Sequence, residues 1–259
     1  MLVNMKEILE KAREGKYAVG LFNAVNVEMA RAIIETAEEL NAPVIVGTAE
    51  VLLPAMNLER VAEYLVPMAK KAKVPVCVHY DHGLTFEKCM EALQLGFSSV
   101  MYDCSTDSYE DNVAKVAEMV KICHAMGASV EGELGHVGDN EGSAEGSDHL
   151  LDPSAFFTDV SLARDFVERT GVDALAVAVG NAHGDYKFPP SWTLTGSPTL
   201  PTAPAYLWCS TAAAACPTVI SAPLYSAASA RSTSSPTSTR PVRQASKRAS
   251  PPAPRPSWV

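Results

Sequence analysis

The sequence lacks several features that mark particular classes of protein. No apolar run approaches the roughly 20 residues that a membrane-spanning helix needs, and the start "MLVNMKEILEKAREGKY" has no apolar core of a signal peptide. The 6 cysteines include no pair with Cys-x-x-Cys spacing. No Gly-x-Gly-x-x-Gly motif is present, which disfavours a dinucleotide-binding fold. We therefore expect a cytoplasmic protein with reduced thiols and no membrane partner.

Acidic residues are missing from the last part of the chain. All 30 aspartates and glutamates lie before Pro190, with 15 of the 21 lysines and arginines, so the formal charge of -9 averages an acidic body and a basic remainder. The acidic body argues against nucleic acid as a partner, because phosphate backbones are bound by clustered lysine and arginine. Residues 191–259 are rich in Ser, Thr, Ala, Pro and Arg and have no sustained hydrophobic period. We therefore treat residues 1–190 and 191–259 as two regions.

Short β-branched segments alternate with longer segments of helical period in residues 1–190. The strand-like segments are, in order, "YAVGLF", "PVIVG", "VPVCVHY", "FSSVMYD", "ASVEGEL" and "DALAVAVG". Five helical segments separate them, of which "NVEMARAIIETAEELN" is the first. This alternation predicts parallel strands with crossover helices, either as a (β/α) barrel or as a doubly wound sheet.

Polar residues at the ends of the strand-like segments favour the barrel. In a barrel all carboxyl ends meet at one mouth, whereas in an open sheet only those near the switch point meet. The polar residues that end or follow the six segments are Asn23, Thr48, His79, Asp81, His82, Asp103, Glu131, Glu133, Asn181 and His183. We predict an α/β fold, a (β/α)8 TIM barrel whose last two β/α units are replaced by the low-complexity segment.

Two histidines among carboxylates indicate a metal site. His82 and His183 would stand at neighbouring openings of the barrel, and imidazole is a preferred ligand of zinc. A lone histidine after a strand is more often a hydrogen-bonded structural group. Glu131 and Glu133 share one strand face, however, and two buried carboxylates without a counter-ion would be costly. Catalytic zinc usually has three protein ligands, so two histidines are one short.

A family resemblance accompanies these features. The segment "VPVCVHYDHGLTFEKCMEALQLGFSSVMYD" resembles the class II, zinc-dependent ketose-bisphosphate aldolases, the group of fructose- and tagatose-bisphosphate aldolases. "GLFNAVNVEMARAIIETAEELNAPVIVGTAE", "VEGELG" and "NAHGDYKFPP" are similar to the same family in the same order, so the resemblance covers residues 1–190. Asn181 and Cys104 depart from the usual threonine and glycine. The resemblance implies a cytoplasmic homo-oligomer, a dimer or tetramer when intact.

The resemblance also implies the reaction and the metal ligands. The reaction would be reversible cleavage of a ketose 1,6-bisphosphate, fructose or tagatose, to dihydroxyacetone phosphate and glyceraldehyde 3-phosphate. His82 and His183 would bind Zn²⁺. Glu133 and Asp103 would tune the metal region or hold a second ion.

The catalytic and substrate-binding roles are implied in the same way. Asp81 would be the acid/base at the C4 oxygen, and Glu141 the mobile acid that takes the C3 proton. Gly184 and Lys187 resemble part of the phosphate and monovalent-cation site. Asn23 would contact the sugar bisphosphate.

The resemblance stops at Pro190, where a barrel still needs two strands and two helices. One explanation is a disordered native extension. The other is a nucleotide lost near Pro190, because a shifted frame in a GC-rich gene reads many codons with C in second position, which encode only Ser, Pro, Thr or Ala. Back-translation of "WCSTAAAACPT" and "RSTSSPTS" permits VLHGGSGLSD and KVNIFTDI, the missing family segments in order, with a third zinc histidine in place of Thr211. We favour the frameshift and expect an impaired enzyme with two unpaired sheet edges.

Two other functions stay open. The chain could be another metal-dependent barrel lyase or isomerase, which activity insensitive to chelators would favour. It could also be a non-enzymatic truncated barrel whose basic end, "RPVRQASKRASPPAPRP", binds partners by charge or as a Pro-rich ligand. Salt-sensitive binding by that peptide would favour the second alternative.

Overall fold

The fold is a parallel sheet with helices packed on its outer face. The structure, a computed structural model, describes residues 1–135, 138–139, 158–177, 182–183, 207–209 and 231–234. The strands are β1 Val19–Asn23, β2 Val44–Ala49, β3 Val76–Gly83, β4 Ser99–Tyr102, β5 Ser129–Leu134, β6 Gly138–Asp139, β7 Ala174–Val177, β8 Ala182–His183, β9 Leu207–Cys209 and β10 Arg231–Ser234. Eight of these strands form the main sheet in the order β10-β1-β2-β3-β4-β5-β7-β9, and β6 pairs with β8 separately.

Polar residues set the starts of the helices within the described residues. The helices are α1 Met5–Gly15, α2 Val27–Leu40, α3 Leu58–Lys71, α4 Phe86–Gln94, α5 Tyr109–Ala125 and α6 Val160–Thr170, with a 3₁₀ turn at Glu50–Ala55. Before each α-helix, a side chain accepts a hydrogen bond from a backbone N–H group of the first turn. These capping residues are Asn4, Asn26, Asn57, Thr85, Ser108 and Asp159.

The six strands expected from the alternating pattern are β1 to β5 and β7. They pair in parallel, with a helix in each connection that the structure describes between β1 and β5, and α6 precedes β7. The predicted α/β fold with six parallel strands of a barrel is therefore confirmed, and these six strands form a half-barrel.

The two edges of this six-stranded unit are paired, and the expectation that they would be unpaired is wrong. Leu207–Cys209 pairs with β7, Arg231–Ser234 pairs with β1, and β9 also contacts β10. Ladder hydrogen bonds use backbone groups, so a segment without apolar alternation can still supply a short strand. The remainder of residues 191–259, for which disorder was expected, lies outside the described residues.

The inner face of the sheet changes from apolar to polar along the strands. Near the amino ends, Leu21, Ile45 and Cys77 are adjacent in register and pack against the apolar side of α1, which therefore covers this end. Two residues further along each strand, the same face presents Asn23, Gly47 and His79. The polar groups are thus gathered at the carboxyl end, as the strand-end pattern predicted.

Within the described residues, no helix combines the length and the apolar character needed to cross a membrane. Cys77, Cys89, Cys104 and Cys123 are buried and free of disulfides. Burial raises the pKa of the Cys104 thiol to about 11, so it is protonated at neutral pH.

Candidate functional site

Three side chains from neighbouring strands meet at the carboxyl end of the sheet. His82 belongs to β3, Asp103 follows β4 and Glu133 belongs to β5, and one possible ligand atom from each lies within 4.8 Å of the others. The Nδ1 atom of His82 is 3.0 Å from Oδ2 of Asp103. Glu133 is 4% exposed, and its Oε2 atom has no hydrogen-bond partner among the described residues. The strand order thus brings together residues that are up to 51 positions apart in the sequence.

The backbone at His82 explains how β3 presents this side chain. The pairing of β3 with β4 shifts register between Tyr80 and Gly83, which marks a bulge. His82 has a φ of 46°, in the left-handed region. The other non-glycine residues with positive φ in the described part of the chain, Lys16 and Asn41, are helix C-caps. A conformation that costs about 1 to 3 kcal/mol is characteristic of functional sites.

The electrostatics of the cluster reflect an excess of buried negative charge. Burial, reinforced by repulsion from Asp103, raises the pKa of Glu133 to about 8. Burial alone would lower the pKa of His82, but the surrounding carboxylates, first among them Asp81, outweigh it and raise that pKa to about 9. Burial also acts against the ionised form of Asp103, yet hydrogen bonds from His82 and Ser105 hold the pKa of Asp103 below its usual value. A bound cation would compensate the same charge.

These donors suit a divalent cation. The cluster combines an imidazole nitrogen with two carboxylates, and one buried carboxylate oxygen lacks a described partner. Zinc accepts nitrogen and carboxylate oxygen ligands of this kind. His82, Asp103 and Glu133 therefore fit a metal ion.

Asp81 lies next to this cluster within a buried polar network. It is 2% exposed, and its Oδ2 atom accepts a hydrogen bond of 2.9 Å from Nδ2 of Asn23. The Nε2 atom of His79 lies 3.7 Å from Oδ1 of Asp81 and 3.4 Å from Oε2 of Glu131. The Nδ1 atom of His79 is 2.9 Å from the hydroxyl oxygen of Ser99. These contacts therefore hold Asp81 in place at the carboxyl end of the sheet.

Sequence reasoning missed one residue that contacts this region. Glu50 follows β2, and its Oε2 atom accepts hydrogen bonds from the Tyr80 hydroxyl at 3.0 Å and the Leu84 backbone N–H at 2.8 Å. The strand-end pattern points to Thr48 as the polar residue of this strand, but Thr48 is fully buried and its hydroxyl contacts Met56 Sδ at 3.5 Å. The signal that could have identified Glu50 is its position just after a strand.

The remaining predicted site residues cannot be placed by their side chains. His183 is in β8, where its backbone pairs with Asp139 of β6, and its side chain is not described. Glu141, Gly184 and Lys187 lie outside the described residues.

Known proteins resemble both the sequence and the fold. Fructose-bisphosphate aldolases from Staphylococcus aureus and Geobacillus stearothermophilus are each 42% identical to this chain over an aligned region that covers 73% of it. The same region covers 65% of each relative, so the chain spans about two thirds of their length at most. The crystal structure of the YdjI aldolase from Escherichia coli K12 superposes with a TM-score of 0.76 at 31% identity, over 90% of this chain and 81% of that one. The family described as fructose-bisphosphate aldolase class-II matches residues 3–196. The chain therefore belongs to the class-II fructose-bisphosphate aldolase family.

Proposed function

We propose that the chain is a zinc-dependent aldolase that reversibly cleaves a ketose 1,6-bisphosphate, fructose or tagatose, to dihydroxyacetone phosphate and glyceraldehyde 3-phosphate. The observation that carries this proposal is the His82, Asp103 and Glu133 cluster beside buried Asp81, in a chain of this family. The matched relatives are named fructose-bisphosphate aldolases. A sugar bisphosphate is therefore the proposed substrate, and a homo-oligomer the proposed assembly.

The metal site would be formed by residues of the chain itself. His82, with His183, Glu133 and Asp103 around it, would hold Zn²⁺. Bound zinc stabilises negative charge that develops on substrate oxygens when a carbon–carbon bond beside a carbonyl breaks. No lysine Schiff base is then needed.

Proton transfer and substrate binding would fall to other residues. Asp81 would move the proton at the C4 oxygen, and the hydrogen bond from Asn23 orients its carboxylate. Glu141 would take the proton at C3 in the condensation direction and return it to C3 in the cleavage direction. Asn23, Gly184 and Lys187 would bind substrate, its phosphate and a monovalent cation.

We further propose that residues 191–259 are the product of a shifted reading frame that replaces the end of the barrel. The family match supports this, because it ends at residue 196, shortly after Pro190. The back-translation of residues 208–218 and 231–238, which permits family sequence, supports it as well. The chain as written would then lack the third zinc histidine, in place of Thr211, and would be impaired.

The proposed roles can be separated by substitution in a version with the frame restored after Pro190. We expect Asp81→Asn to keep its zinc and lose roughly 10²- to 10⁴-fold in turnover, the contribution of a general acid/base group. We expect His82→Ala to lose zinc and activity together. Zinc content and aldol cleavage should be measured on the same preparations.

A matched control is Asp107→Asn, which removes an exposed aspartate that pairs with Lys115 at 2.8 Å. This variant should match the parent protein in both measurements. Undiminished turnover in Asp81→Asn would remove Asp81 from its proposed role. Full zinc content in His82→Ala would contradict the proposed metal site.

A further inference from the structure

The structure assigns a positioning role to Glu50, which we infer holds the candidate metal ligand His82 in its binding conformation. This inference rests on the proposed metal site. Glu50 does not belong to the cluster of His82, Asp103 and Glu133. It acts on the backbone that carries His82.

One carboxylate oxygen of Glu50 holds the chain on both sides of His82. Its Oε2 atom accepts from the hydroxyl of Tyr80, two residues before His82, at 3.0 Å. The same atom accepts from the backbone N–H of Leu84, two residues after His82, at 2.8 Å. Tyr80 is fully buried, so its hydroxyl gives the Glu50 side chain a fixed partner.

The segment after His82 needs such a contact. Leu84 is 61% exposed, so burial does not hold it in place. Gly83 continues the pairing with β4, and its carbonyl accepts from the backbone N–H of Asp103 at 2.9 Å. A left-handed residue in a bulge persists only where its surroundings determine it. Glu50 supplies that constraint from the 3₁₀ turn after β2, while the pairing of Gly83 with β4 supplies it from the other side.

This role has a specific consequence for metal binding. Residues that orient a metal ligand typically contribute about 10- to 100-fold to metal affinity without touching the metal. If Glu50 orients His82, its effect on metal affinity depends on a side chain long enough for its oxygen to contact Tyr80 and Leu84. If Glu50 contributed only negative charge near the site, its effect would depend on the charge.

Two substitutions separate reach from charge. Glu50→Gln keeps the length and an acceptor oxygen but loses the charge, whereas Glu50→Asp keeps the charge but is shorter by one methylene. We expect Glu50→Asp and Glu50→Ala to bind zinc about 10- to 100-fold more weakly than the parent, and Glu50→Gln to stay close to it. Glu87→Ala removes an exposed glutamate from the first turn of α4 and should change nothing.

Zinc affinity should be measured by competition with a chromophoric chelator, with the version whose frame is restored after Pro190 as the parent, because the chain as written is proposed to lack a direct zinc ligand. A second measurement needs no metal: hydrogen exchange of individual backbone amides in the metal-free chain. We expect the amides of Leu84 and Asp103 to exchange at least about 10-fold faster in Glu50→Asp and Glu50→Ala than in Glu50→Gln, while the amide of Val46 in the core of β2 stays protected. Faster exchange confined to these two amides would show that Glu50 holds this segment rather than the whole fold.

The outcomes distinguish this inference from the proposed function. If the parent binds zinc no better than His82→Ala, the proposed metal site fails, and the exchange measurement still tests the contact of Glu50. Unchanged exchange at Leu84 in Glu50→Asp would overturn the positioning role. Weakened zinc binding in Glu50→Gln with parent-like binding in Glu50→Asp would overturn it as well, because charge would then be the cause.

Discussion

At the scale of single residues, Asp81 and His82 show how two adjacent side chains reach different partners. Asp81 continues the inward face of β3 and receives the hydrogen bond of Asn23. His82 departs from the strand conformation at the bulge and meets Asp103. One peptide unit thus separates the proposed proton-transfer group from a proposed metal ligand. The proposed chemistry needs both groups close to the same substrate oxygen atoms.

The hydrogen bond between Asp103 and His82 leads to a prediction for metal affinity. Asp103 accepts from Nδ1 of His82 at 3.0 Å, and both side chains belong to the candidate metal cluster. We expect Asp103→Asn to lower zinc affinity by about 10- to 100-fold, because an amide oxygen is a weaker acceptor and carries no charge. Competition with a chelator measures this effect.

Asp107→Asn lies four residues away and provides a control with the same chemical change. It should bind zinc as the parent does. Equal zinc affinity in Asp103→Asn and Asp107→Asn would show that the 3.0 Å contact does not orient His82.

At the scale of secondary-structure elements, the close pairing of β2 and β3 positions the polar end. Gly47 lies opposite His79 in register, and a Cβ atom at Gly47 would lie 2.0 Å from the carbonyl oxygen of His79. That oxygen belongs to the backbone and cannot move without moving β3. The glycine therefore allows the two strands to approach where Asn23 and Asp81 meet.

This approach predicts the effect of Gly47→Ala. We expect a loss of about 1 to 3 kcal/mol in the free energy of unfolding, the range for an added methyl group in a packed interior. Gly20→Ala in β1 is the matched control, because the three atoms nearest to its Cβ atom would all belong to the ring of Phe22, which is 39% exposed and can move. Urea unfolding of the three proteins measures the difference. Equal midpoints for the two variants would contradict the close approach of β2 and β3.

At the scale of the whole molecule, the predictable features are those that repeat along the chain. The six strands were predictable because alternating strands and helices follow from hydrophobic period, and the convergence of Asp81, Asp103 and Glu133 follows from parallel strand direction. The bulge at His82 and the double contact of Glu50 were not predictable, because they depend on atoms that only the folded sheet brings together. The strands at Leu207–Cys209 and Arg231–Ser234 were missed for a similar reason: backbone pairing to β7 and β1 selects them, not an apolar pattern.

The reading frame of the last region sets the expected activity of the whole chain. The backbone of β9 and β10 pairs with β7 and β1, but pairing cannot supply the histidine expected in place of Thr211 or a glycine-rich phosphate loop. We expect the aldol cleavage activity of the 259-residue chain on a ketose bisphosphate to be at least about 100-fold lower than that of a version with one base restored after Pro190. This exceeds the usual effect of losing an orienting residue, because a direct ligand would be missing. Solubility, zinc content and EDTA-sensitive aldol cleavage should be compared side by side, and equal activity in the two proteins would show that residues 191–259 are a native part of the enzyme.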